Sequence, residues 1–407
     1  MKRHTVQRRN LVSWAYIVAA FGLLMAIPMT ARQTDEWKKY ELNVENVHAC
    51  AFAPDGSGVA FLYWNSHLIS EKPWKVVYTS HLAVWDFRTG KTEEKSKWDY
   101  TSNNGHDPFP TNPRYIGFTA DGRRIILFDA DGIRMFGVPS YEPEDRIAFD
   151  YPSEQTSLRG IGWNIVGFSV TPDGSRVAVA LSDPGNVAGG FVRVYELSSG
   201  KVAREWKLSG EVKAIASIAL SPDGQRVAVS WLPSEPSSDP EAFIPSGTDN
   251  IRVMDVKTGE ALTGMSTKYF AGPVLFGPND TVLTVSMNDD RTGYKYDTIK
   301  IWDGRTGKLL REITNPRAGV HYRLALSPDG KLLLGYTGTE KPVENFVTVD
   351  TQQFQIWDFA SGQALATSPE FGPNKDEIPR IQLSPDGKFV LVWWGNGFAK
   401  PFVYAVP

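Results

Sequence analysis

The chain is poor in the residues that usually carry covalent or metal chemistry. Of 407 residues a single one, Cys50, is cysteine, which excludes an internal disulfide, a cysteine-based metal cluster and a covalent haem motif. The scarcity leaves the compartment open, because cytosolic and many envelope proteins alike do without disulfides. The six histidines (His4, His48, His67, His81, His106 and His321) are scattered, without the spacing that would bring two to one metal. There is no Gly-x-Ser-x-Gly elbow, no His-Glu-x-x-His helix and no glycine-rich phosphate loop leading into a helix. A formal net charge of −3 gives no bulk attraction to nucleic acid. The expectation is therefore no cofactor, no metal, no nucleic-acid partner and no catalytic residue. Asp129-Ala130-Asp131-Gly132 lacks the later acidic ligands of a calcium loop and reads as a tight hairpin. The acidic residues Glu235, Asp239 and Glu241 read as part of a solvated insertion.

What is present begins with residues 11–29, nineteen without a charge, preceded by Lys2, Arg3, Arg8 and Arg9. That run exceeds the usual core of a signal peptide and suffices to cross a bilayer as a helix. A cleavage site is poorly formed, since bulky Met29 stands where a small residue is preferred before Ala31. Length favours an uncleaved anchor, with a cleaved signal peptide as the alternative. The basic residues would stay cytoplasmic and place the remainder outside the cytoplasm. The expected division is a membrane or signal segment over 1–33 and a folded domain over 34–407.

Within that domain one unit recurs. Turn aspartates stand at Asp55, Asp121, Asp173, Asp223, Asp280, Asp329 and Asp386, spaced 66, 52, 50, 57, 49 and 57 residues apart. The turn is Ser-Pro-Asp-Gly at Asp223, Asp329 and Asp386, with close variants elsewhere. Proline suits the second position of a tight turn, Asp bonds its own backbone and Gly accepts a positive φ, so each marks a hairpin. Ahead of each turn large apolar residues alternate with smaller ones, as at Cys50 and Phe52, Ile218 and Leu220, or Ile381 and Leu383. Such strands are buried on both faces, and Cys50 is read as a small core hydrophobe.

A second signature closes the third strand of the unit: Trp85-Asp86, Tyr195-Glu196, Met254-Asp255, Trp302-Asp303 and Trp357-Asp358. Each is followed by Thr-Gly or Ser-Gly, at Gly90, Gly200, Gly259, Gly307 and Gly362. With these residues the chain resembles the WD-repeat β-propeller family. The resemblance, which covers residues 37–407, implies an all-β fold of seven four-stranded antiparallel blades around a channel; the uncharged run adds one N-terminal membrane or signal helix before it. Two features depart from the family. The Gly-His dipeptide before the first strand is absent, with Gly210-Glu211 in that region of blade 4, and the period of about 55 exceeds the family's roughly 40–45. The chain ends on a third strand, Phe402 to Val406, and the segment from Trp37 to Asn43 resembles a fourth strand, so that segment is expected to complete the last blade.

The extra length falls in long loops over 63–80, 97–113, 231–250, 287–297 and 336–351, all opening on one face. Blades 7, 1 and 2 place Trp64, Trp74, Trp98, Tyr100, Phe109, Trp393, Trp394 and Phe398 there, with His48, Arg114 and Arg380 at the channel mouth, joined by Arg323 from blade 6. Exposed aromatics suit sugar stacking or a protein anchor, and arginines suit carboxylate or phosphate. The resemblance implies a non-enzymatic protein-interaction scaffold, since WD-repeat proteins are mostly platforms. The alternatives are an extracytoplasmic propeller enzyme, lactonase-like or glycan-active, and a module that binds a carbohydrate or small anion.

Overall fold

The computed structural model describes residues 37–407 apart from 72–73, 103–114, 130–131, 149–163, 183–188, 210–211, 234–249, 268–270, 290–293, 315–322, 344–345, 372–378, 396 and 398. The segment expected to form an N-terminal helix lies outside these residues, and among them no helix is long and apolar enough to cross a membrane.

Among the described residues twenty-eight strands form seven four-stranded antiparallel sheets. Strand β1 (Lys39–Glu41) comes first in the chain but belongs to the last sheet. Blade 1 is β2 (Val47–Phe52), β3 (Val59–Glu71), β4 (Trp74–Asp86) and β5 (Lys91–Ser102); blade 2 is β6 (Tyr115–Phe118), β7 (Arg124–Asp129), β8 (Gly132–Gly137) and β9 (Pro143–Ala148). Blade 3 is β10 (Asn164–Val170), β11 (Arg176–Ser182), β12 (Gly189–Glu196) and β13 (Val202–Ser209); blade 4 is β14 (Val212–Leu220), β15 (Arg226–Pro233), β16 (Ile251–Asp255) and β17 (Ala261–Met265). Blade 5 is β18 (Ala271–Phe276), β19 (Thr281–Asp289), β20 (Tyr294–Asp303) and β21 (Leu309–Thr314); blade 6 is β22 (Leu324–Leu326), β23 (Leu332–Val343), β24 (Phe346–Asp358) and β25 (Ala364–Thr367). Blade 7 is β26 (Arg380–Leu383), β27 (Phe389–Trp393) and β28 (Phe402–Ala405), completed by β1.

The turn chemistry sets this order. In each Ser-Pro-Asp-Gly turn the serine hydroxyl donates to the aspartate, at 2.5 Å for Ser221 to Asp223 and 2.7 Å for Ser327 to Asp329 and Ser384 to Asp386. The same aspartates accept the backbone N–H two residues on, from Gln225, Lys331 and Lys388. Gly224, Gly330 and Gly387 follow at φ of 68°, 70° and 70°, where a side chain would be strained. The Trp-Asp signature works alike: Asp86 accepts from the Thr89 hydroxyl at 2.8 Å and from the N–H of Arg88, while Trp85 is 1% exposed. These two kinds of turn share one face of the ring, the turn face. The β3–β4-type hairpin ends and the crossings between blades form the other.

Blade 5 shows what the turn loses without its glycine. Asn279 and Asp280 both take positive φ, 55° and 62°, and Asp280 turns away to bind Arg226 of blade 4 and, at 2.8 Å, Arg305.

Strand β1 closes the ring, pairing Lys39 with Tyr404, Tyr40 with Val403 and Glu41 with Phe402. Trp37 packs edge-on against Phe354 and Tyr404, and Tyr40 against Phe87 and Phe389, so the segment is fastened to three blades. Seven clusters of buried side chains hold the sheets together, one between each pair of neighbouring blades. Cys50, at 2% exposure, sits in the cluster between blades 7 and 1, where burial pushes its thiol up, opposed by the charge of Arg380.

Three of the expected long loops are strand instead. Pairing of β3 with β4 continues out to Glu71 opposite Trp74, of β19 with β20 to Asp289 opposite Tyr294, and of β23 with β24 to Val343 opposite Phe346. Paired strands satisfy the backbone groups that a long free loop would leave to water. Asp129 pairs with Gly132 across the expected tight hairpin of blade 2. Most of the remaining two expected loops, 231–250 and 97–113, lies outside the described residues, and 97–102 is the end of β5.

Candidate functional site

On the face opposite the turns, blade 1 stands out. Strands β3, β4 and β5 stay paired well beyond the blade, with rungs Tyr63–His81–Lys97, Trp64–Ser80–Trp98, Asn65–Thr79–Asp99 and Ser66–Tyr78–Tyr100. Side chains directly across antiparallel strands share a face, and successive rungs alternate. One side of this ribbon therefore carries Trp64, Tyr78 and Trp98, continuing to Leu68 opposite Val76. The other side carries Tyr63, His81, Asn65, Thr79 and Asp99. At its tip Leu68 and Ile69 are 42% and 53% exposed.

The aromatic side is fastened at its base. Trp64 lies parallel to His48, ring centroids 5.8 Å apart, with Tyr78 edge-on at 5.6 Å. His48 is the extra residue where β2 slips register against β3, and its Nδ1 donates to the Gly395 carbonyl of blade 7 at 2.7 Å. Trp98 packs on Phe136 of blade 2 at 5.6 Å with the Arg134 guanidinium over its ring. The ribbon base thus bridges blades 7, 1 and 2.

On the polar side, buried His81 donates from Nδ1 to Glu94 at 2.7 Å, and the Tyr63 hydroxyl donates to the same oxygen at 3.3 Å. Tyr63 and His81 stack at 4.5 Å. The bond from His81 holds the Glu94 carboxyl below its usual range; burial, then the Glu94 charge, raises the Tyr63 phenol. Sequence reasoning missed this trio. Only the strand register, which sets Tyr63 against His81, would have shown it.

The expected site residues divide. His48, Trp64 and Trp98 gather at the ribbon base, half-buried or buried. Trp393 and Trp394, expected on the exposed face, are core residues at 7% and 3% exposure, pointing from the end of β27 into the clusters shared with blades 1 and 6. A second strand between two neighbours buries both its sides, which explains the correction. Arg380 begins β26 half-buried beside Cys50, and Arg323 is exposed just before β22. Trp74 begins β4 opposite Glu71, and Tyr100 stands opposite Tyr78 in β5. Arg114, Phe109 and Phe398 lie outside the described residues. Among the described residues no three His, Cys, Asp or Glu side chains are grouped as a metal would need.

Among the described residues a cleft of about 520 Å³ opens on the turn face between blades 2 and 3. It opens where Gly137 replaces the carboxylate that ends the third strand in five other blades, and Arg124 pairs instead with Glu144 at 2.8 Å. Asp121, Arg123 and Asp173 complete its charged lining.

No family model matches the chain. It is 27% identical over 175 residues to an uncharacterized WD repeat-containing protein of Synechocystis, covering 43% of this chain and 41% of that one. It is 25% identical over 245 residues to autophagy-related protein 16 of Arabidopsis thaliana, 59% of this chain and 39% of that one. Each match thus spans about two-fifths of the relative's length. Repeated turn signatures, seven four-stranded blades and these relatives agree in placing the chain's resemblance with the WD-repeat β-propellers.

Proposed function

We propose that the chain is a protein-interaction scaffold that engages its partner through the blade 1 ribbon, held on the extracytoplasmic side of a membrane by residues 11–29. The observation that carries the reading is the ribbon itself. A three-stranded extension with an aromatic side and an apolar tip is costly to leave in water, and rigid elements that present apolar anchors are where binding energy concentrates. The WD-repeat relatives support a platform role, and no catalytic role is assigned. The uncharged run behind four basic residues supports the membrane and its sidedness.

The test is crosslinking of the full chain in its native membrane with partners identified by mass. A Leu68→Glu, Ile69→Glu variant should lose the recurrent partner roughly tenfold while its melting temperature is unchanged, since both side chains already face water. Equal recovery by the variant would remove the ribbon from the interface. Absence of any protein partner would turn the reading toward a glycan or an anion.

A further inference from the structure

Seven large apolar side chains are well exposed among the described residues. Two form the ribbon tip, and the other five are Val202, Leu262, Leu309, Leu310 and Leu365. All five lie at the start of outermost strands, just past the Thr-Gly or Ser-Gly turn. In blades 4, 5 and 6 the match is closer still. Leu262, Leu310 and Leu365 are each the extra residue of a β-bulge, between neighbours that pair with Met254 and Val253, Trp302 and Ile301, and Trp357 and Ile356. They are 46%, 52% and 44% exposed. Three successive blades thus present a leucine at one height on the rim, on the side nearest the turn face.

Outer strands are open sheet edges, which soluble proteins protect with charge or proline. Blades 1 and 2 do so: the matching stretches are Lys91-Thr92-Glu93-Glu94 and Pro143-Glu144-Asp145-Arg146. At the bulge position the rim of blades 4–6 carries leucine instead.

What covers it follows from where the preceding chain joins the propeller. Lys38 accepts from the N–H of Ala405, and the next residue, Val406, donates to Lys388 in the Pro-Asp-Gly turn of blade 7. The chain therefore enters blade 7 from the turn face, beside blade 6. Between the uncharged run and Trp37 lie only residues 30–36, which span at most about 25 Å when extended. A bilayer that holds residues 11–29 is then tethered within about 25 Å of the point where the chain enters at the turn face, on the blade 6 side of blade 7.

We infer that the rim of blades 4–6 rests on the lipid bilayer, with Leu262, Leu309, Leu310 and Leu365 dipping into its interface. The inference depends on the membrane reading above, though not on the ribbon. Its test exploits the burial of Cys50, which leaves an introduced cysteine as the reactive thiol. Full chains carrying Leu262→Cys, Leu310→Cys, Leu365→Cys or, as the control in blade 1, Glu93→Cys are labelled with an environment-sensitive fluorophore. They are then reconstituted into phosphatidylcholine vesicles with or without doxyl-labelled lipid. The three rim positions should shift to the blue and be quenched several-fold more than position 93. Rim labels no more quenched than position 93 overturn the inference, and a blue shift without lipid quenching overturns it in favour of a second protein chain on the rim. Carbonate extraction of the same vesicles separates the two readings: a chain that washes off defeats the membrane reading, and a chain that stays without rim quenching defeats the rim alone.

Discussion

Ser327 and Asp329 show how one turn is held. The Ser327 hydroxyl donates to Asp329 and also accepts the N–H of Leu332 at 2.9 Å, tying both ends of the hairpin to one oxygen. That hydroxyl, more than any other group, draws the Asp329 carboxyl down to about 2. The turn aspartates Asp55, Asp121, Asp173, Asp223 and Asp386 are lowered as well. A carboxyl held below its unfolded value of about 3.9 contributes its full stability above that pH and loses it as pH falls through the folded value. Stability should thus decline between about pH 4 and pH 2, in small steps summed over the ring. Ser327→Ala removes the bridge, and the expected cost at neutral pH is about 1 kcal/mol. Because the folded Asp329 carboxyl then moves back toward its unfolded value, the acid decline should also be shallower. Urea unfolding midpoints of both proteins from pH 2 to pH 7 check this; an identical acid slope would mean that the serine does not set the carboxyl.

Among the elements, the strands were legible where a turn residue declares its geometry and hidden where none does. Pro-Asp-Gly and Thr-Gly fix φ and backbone bonds within four residues, so the blade count could be read directly from them. The ribbon has no such mark. In Tyr63-Trp64-Asn65-Ser66-His67-Leu68 large and polar residues mix on both sides of the strand, because only its base packs on the blades while the rest meets water, and so the stretch reads as loop. Trp393 and Trp394 differ for the opposite reason: read as loop aromatics, they end β27 or follow it directly, wedged between neighbouring blades on both sides. The ribbon's central strand offers a sharp test. Thr79 pairs with Asn65 on one side and Asp99 on the other, with its hydroxyl donating to Asp99 at 2.7 Å. Thr79→Pro removes a ladder N–H and should unpair the ribbon beyond the blade while the seven interface clusters remain. Limited proteolysis should then cut within 63–80 or 97–102 at least tenfold faster, with the main melting transition preserved. A ring that melts early would show that the ribbon is part of the core and not an appendage.

At the scale of the molecule the blades form a closed loop of like interfaces. In an open array of repeats the terminal units are the weakest, because each lacks one neighbour. Here β1 removes the ends by joining the chain's first described strand to its last. The join rests on few residues: three rungs, Trp37, Tyr40, and Leu42, which is 1% exposed in the cluster between blades 7 and 1. Leu42 is therefore a sensitive probe of closure. Leu42→Ala leaves a void where the ring is joined and should cost about 2–5 kcal/mol. If closure makes the ring one cooperative unit, that loss appears as a single transition at lower temperature, the same by near-ultraviolet and far-ultraviolet circular dichroism. Deleting residues 37–43 removes the whole join, bares the edge of β28 and should destabilise every blade and promote aggregation through that edge. The informative alternative is a variant that melts in two steps, with blade 7 leaving first. That outcome would mean that each blade is held chiefly by its own neighbours, and that the clasp protects an edge without coupling the ring.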